Sequence, residues 1–247
     1  MTPSAKPSRR AFLLRKAHSA SGLLFLGAFL VLHLASNASS LWGARAFDAQ
    51  MDRLLAVPLR PVLEIALVLA PLAFHAVYGV WLAVRPDETG LRRLHAHGPL
   101  HVLQRATGIC ALLFVLGHLW EFRAQRAFHG LHAHSLFGAA AHDLSWVRWG
   151  VPWIGIAYVV GLASVAFHLA NGVVRFATSW GLTGSERGVR RLAWASGVFG
   201  VALFTLGLST VVFFATGQSP IPIRAPEPAA CGPGAGPPAT TNDDAPK

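Results

Sequence analysis

The sequence predicts an all-α protein, an integral membrane bundle of five transmembrane helices. Hydrophobic residues make up 53% of the 247-residue chain and charged residues only 13%, against about 25% charged in an ordinary water-soluble domain. The apolar residues fall in five runs, near 20–38, 61–84, 105–122, 150–178 and 192–216. Each is long enough to cross a hydrocarbon core about 30 Å thick, which takes roughly 20 helical residues. No run alternates with the period of a barrel strand, and backbone polar groups in lipid must be satisfied internally, so all five are expected as helices.

The domain plan that follows is a cytoplasmic segment at 1–19, a five-helix unit at 20–217 and a Pro/Gly-rich tail at 218–247 expected to be disordered. Within the first segment, Ser8-Arg9-Arg10-Ala11-Phe12-Leu13 looks like a twin-arginine export signal, with small residues near Ala35 to Ala38 where cleavage would fall. Because the run behind it carries a histidine with a partner further on, it reads better as an uncleaved first helix flanked by basic residues. In the second run, Pro61 suits a first helical turn, while Pro71 removes a backbone donor inside the helix and should kink it. The fourth run exceeds the bilayer width and should tilt or project.

Lys and Arg set the expected orientation. Thirteen lie in the N-terminal segment and the loops after runs two and four, and eight on the opposite side, which places the N-terminus in the cytoplasm and the C-terminus outside. The net charge of +10 is spread between apolar runs and forms no dense patch, so it argues for membrane topology and against nucleic acid. With two cysteines, Cys110 in an apolar run and Cys231 in the tail, a disulfide framework, a zinc site and a four-Cys iron–sulfur cluster are unsupported.

Four of the twelve histidines fall inside the spans: His33, His75, His118 and His168. An ionisable group in hydrocarbon costs roughly 2.5 kcal/mol or more, which makes each a functional candidate. Taken singly, each reads equally well as a hydrogen-bonded packing residue, so the pattern has to decide. At about 1.5 Å per residue, His33 and His118 lie at similar depth, roughly 20 Å from the cytoplasmic face, and His75 and His168 roughly 10–14 Å from it. Two layers of two imidazoles are what two stacked bis-histidine haems need. Gly27, Gly79, Gly108, Gly117, Gly161 and Gly172 would let a flat macrocycle approach the backbone, although small residues also serve plain helix packing.

These residues carry a family resemblance from about Arg15 to Gly184. His18-Ser19-Ala20-Ser21-Gly22, His33-Leu34, Phe74-His75-Ala76-Val77-Tyr78-Gly79-Val80, Leu103-Gln104-Arg105-Ala106-Thr107-Gly108-Ile109, His118-Leu119-Trp120-Glu121, Phe167-His168-Leu169-Ala170-Asn171-Gly172 and Thr178-Ser179-Trp180-Gly181 resemble, in order, the first four helices of the five-helix, di-haem cytochrome b subunit of succinate dehydrogenase and fumarate reductase. The resemblance implies that His75 and His168 ligate a proximal haem b and His33 and His118 a distal one. It further implies a flavoprotein subunit and an iron–sulfur subunit on the cytoplasmic side of a bacterial inner membrane. Electrons from succinate would pass to a membrane quinone, commonly menaquinone in similar members. Candidates for propionate or nearby polar contacts are Arg15, His18, Ser21, Gln104, Arg105 and Asn171; the arginines read equally as positive-inside charges. Glu64 is a quinone-site candidate, or an acid favoured by a helix N-terminus, and Glu121 is a weaker case of the same kind.

The remaining histidines point less clearly to a site. His129, His132, His134 and His142 cluster beside Asp143 with spacing that suits a metal, but a solvated histidine-rich loop is the plainer reading. His95, His97 and His101 would contact headgroups or a partner subunit. Two other readings are weighed. A quinone-linked hydrogenase or formate dehydrogenase cytochrome b would distribute its ligands differently, and a haem-free transporter would show inverted repeats and broken helices, which the sequence lacks.

Overall fold

A computed structural model of the chain describes residues 8–84, 98–124 and 136–218. His95, His97, His129, His132, His134 and the tail beyond Gln218 lie outside the described residues. The described residues form helices: α1 (Arg9–Trp42), α2 (Ala44–Leu55), α3 (Arg60–Val84), α4 (Pro99–Arg123), α5 (Leu136–Ser145), α6 (Trp153–Ser179) and α7 (Glu186–Thr216). Five of them, α1, α3, α4, α6 and α7, are long and apolar enough to cross a membrane. We call the bundle end that carries Arg9 proximal and the opposite end distal.

Three spans begin well before their apolar runs, because local capping sets a helix end while hydropathy marks only the lipid slab. Ser8 caps α1 by accepting from Ala11 N–H at 3.3 Å, and Ser185 caps α7 by accepting from Gly188 N–H at 3.1 Å. Pro99 opens α4 at a position where its missing N–H costs nothing. The expected disturbance at Pro71 takes a definite form: the backbone widens into a π-helix over Ile65–Leu69 just before it, where the donor that proline lacks would have bonded. Similar π-turns occupy Ser21–Gly27 of α1 and Trp120–Ala124 of α4.

Helix α6 is the centre of the bundle, packing most extensively on α7 and α4. Small residues permit this closeness. A Cβ on Gly200 would lie 2.8 Å from that of Ala170, and one on Gly207 2.6 Å from a Leu162 methyl, so α6 and α7 meet nearly backbone to backbone. Buried hydroxyls return to their own helix: Ser164 donates to Val160 O, Ser209 to Thr205 O and Thr210 to Leu206 O. At the distal end, Phe47 of α2, Ala140 and Leu144 of α5 and Phe214 of α7 form an apolar cap. Large apolar side chains such as Leu32, Val77, Leu113 and Val201 face outward, as a lipid-facing surface requires. Trp146, Trp149 and Trp153, just before and at the start of α6, are exposed in the manner of an interfacial belt.

Candidate functional site

A cavity of about 2160 Å³ runs between α1, α3, α4 and α6 and reaches residues of α2, α5 and α7, well above the roughly 300–1,000 Å³ of an ordinary single-ligand site. His33, His75, His118 and His168 all line it. They stand in two close pairs. His75 and His168 have ring centres 6.2 Å apart with planes at 90°, and His33 and His118 have centres 5.7 Å apart at 80°. The pairs are separated along the bundle: His168 lies against Gly108 and His118 against Tyr158, one helical decade apart on both α4 and α6, or about 15 Å.

Three of the four rings have Nδ1 tied to the protein. His75 Nδ1–H donates to His18 O at 3.0 Å, and His168 Nδ1, 3.1 Å from both Gln104 O and Gln104 Nε2, donates to the carbonyl in the tautomer protonated at Nδ1. His118 Nδ1 lies 3.1 Å from Tyr158 Oη, which donates to Glu121 Oε2 at 2.6 Å. Each arrangement leaves Nε2 as the lone-pair nitrogen. For His33, Asn37 Nδ2 donates to the backbone oxygen at 2.8 Å and approaches the two ring nitrogens at 3.5 and 3.4 Å.

With a metal–nitrogen bond of about 2 Å and a ring centre roughly 1 Å behind it, two imidazoles across one iron have centres about 6 Å apart. Both pairs match that spacing. Glycine supplies the room at the proximal pair: a Cβ on Gly22 would overlap the His75 ring, and one on Gly108 would sit 2.8 Å from His168 Cε1. The donor set, the spacing and the cavity therefore fit a haem-like macrocycle, which the histidine pairs would hold. Among the described residues no three His, Cys, Asp or Glu gather as a separate metal site; His142 pairs with Asp143 at 3.0 Å.

In a comparison with curated proteins, the chain is 35% identical over 205 residues to the succinate dehydrogenase cytochrome b558 subunit of Bacillus subtilis (strain 168), spanning 83% of this chain and 98% of that protein. The chain belongs to the succinate dehydrogenase cytochrome b subunit family. No protein-family model matches it.

The other expected positions of this family member divide clearly. Gln104 and Asn171 join at the proximal pair: Gln104 Nε2 donates to His168 O at 3.1 Å, and Asn171 Nδ2 donates to Gln104 Oε1 at 2.7 Å. His18 stacks on His75 with centres 4.1 Å apart, and its Nδ1 has no hydrogen-bond partner among the described residues. Ser21 donates to His18 O at 2.9 Å, the carbonyl that also accepts from His75. Arg15 and Arg105 line the proximal end of the cavity, as do Arg175 and His101, which meet at 2.9 Å. At the distal end Glu64 is bracketed by Arg123 at 3.0 Å and Arg60 at 3.6 Å. Gly117 has open space where a Cβ would stand and is exposed, so it does not line the cavity.

Tyr158 is the residue that sequence reading missed. A signal existed, since it is one of two tyrosines in the chain and its hydroxyl lies in the middle of an apolar run, where it must find a partner.

Proposed function

We propose that this chain is the membrane anchor and cytochrome b subunit of a bacterial succinate:quinone oxidoreductase, with two haem b groups. His75 and His168 would hold the proximal haem, and His33 and His118 the distal one. The observation that carries the reading is the two imidazole couples, with ring centres 6.2 and 5.7 Å apart, around one large cavity. Bound there, the haems would supply one-electron storage between a reductant on one side of the membrane and a quinone within it.

The chain's own residues prepare that role. Four helices each present one imidazole to the cavity, and these four side chains would hold the two haem irons and leave no position open for oxygen. Arg15, Arg105 and Arg175 gather at the proximal end of the cavity, where they would neutralise carboxylates of the macrocycle and face a cytoplasmic flavoprotein and iron–sulfur subunit. Glu64, gripped by Arg60 and Arg123 at the distal end of the same cavity, would exchange protons with a quinone, menaquinone in our reading. The N-terminus is then cytoplasmic, in keeping with the distribution of Lys and Arg. Kinship with a succinate dehydrogenase subunit favours this assignment over a hydrogenase or formate dehydrogenase cytochrome.

Purification of the tagged chain from native membranes tests the reading. A flavin-bearing and an iron–sulfur polypeptide should accompany it, with succinate-dependent quinone reduction. Co-purification of a nickel or molybdenum enzyme would contradict it.

A further inference from the structure

We propose that Tyr158, held by Glu121, is the positioning residue for His118, fixing its ring and strengthening it as a ligand. The inference rests on the di-haem reading above and names what governs the distal haem.

Tyr158 Oη has one proton. It is committed to Glu121 Oε2 at 2.6 Å, a short O–H···O bond. The oxygen is then free to accept, and the group 3.1 Å away is His118 Nδ1. The imidazole N–H is thus directed at a phenol oxygen made electron-rich by the carboxylate behind it. An axial histidine whose far nitrogen donates to an anionic partner is a stronger donor to iron, and stabilises the ferric state.

The surroundings hold this geometry. Phe114 packs edge-on to Tyr158 at 5.2 Å and lies so close to Gly161 that a Cβ there would overlap its ring. Phe114 and Phe122 flank His118 at 5.9 and 5.2 Å. Glu121 sits in the π-turn Trp120–Ala124, a local widening common at functional positions. A tyrosine that merely needed a partner in lipid would be satisfied by Glu121 alone. Its second contact, on the far nitrogen of a cavity-lining histidine, is what gives it a role. At His75 and His168 the same nitrogen donates to neutral backbone carbonyls, so the anionic relay belongs to the distal pair.

The test is a redox titration of the b haems in the purified complex carrying Tyr158→Phe or Glu121→Gln. Tyr158→Phe should raise the midpoint potential of one haem and leave the other in place. Glu121→Gln, which keeps an acceptor but removes the charge, should move the same haem in the same direction by less. If Tyr158→Phe costs the complex a haem, the Glu121→Gln titration decides. Potentials unchanged, or both haems shifted equally, would overturn the inference while leaving the di-haem reading intact. A wild-type complex without two haems would overturn that reading and this inference with it.

Discussion

At the proximal pair, His75 and His168 reach across to the main chain of neighbouring helices, at His18 O and Gln104 O, whereas at the distal pair His118 reaches a side-chain relay and His33 meets an amide. A backbone carbonyl arrives with the helix and survives any substitution. A tyrosine–glutamate pair depends on two side chains and is open to adjustment. The same imidazole is therefore set by the fold at one level of the bundle and by residue choice at the other.

The largest effects should come from removing a ligand. His168→Ala should lower haem content from two per chain to one, and so should His118→Ala, each losing a different component of the difference spectrum. Loss of the same component in both variants would break the pairing. Next is Gly108→Val, which places a side chain against the His168 ring; it should strip or displace the proximal haem and spare the distal one, as read by spectral component.

Glu64→Gln releases Arg60 and Arg123. We expect succinate-dependent quinone reduction to fall by about tenfold or more, with haem content unchanged. A smaller effect is expected of Gln104→Leu. It leaves Asn171 without its acceptor and His168 O without its side-chain donor, and costs about 1 kcal/mol of stability, roughly the sum of two average interhelical hydrogen bonds in lipid. The His168 bond to Gln104 O persists, so the proximal haem potential should move less than Tyr158→Phe moves the distal one. Gly117→Ala, facing open space, serves as the silent control in thermal denaturation, within about 0.5 kcal/mol.

Much of this was legible beforehand, because a bilayer imposes length and polarity rules on a sequence. The five spans follow from apolar runs, and the four histidines stand out since ionisable groups are rare in hydrocarbon. Their order and depth suffice to sort them into two layers. Less was visible where local geometry decides. The early starts of α1 and α7 rest on Ser8 and Ser185 caps outside the apolar runs. The amphipathic α2 and the short α5 lie between spans, where hydropathy gives no signal. Gly117 and Gly161 look alike in sequence, yet one faces open space and the other receives Phe114, a matter of helix rotation. For Tyr158 the sequence signals only a hydroxyl that needs a partner; its value comes from meeting Glu121 and His118 across the α4–α6 seam.

The central claim is that four histidines on four helices hold two haems in a succinate-linked electron path. A reduced-minus-oxidised spectrum of the purified membrane complex, with haem quantified per polypeptide and succinate as reductant, tests it most directly. The account predicts two b haems per chain, at least partly reduced by succinate. A complex with no haem would contradict it.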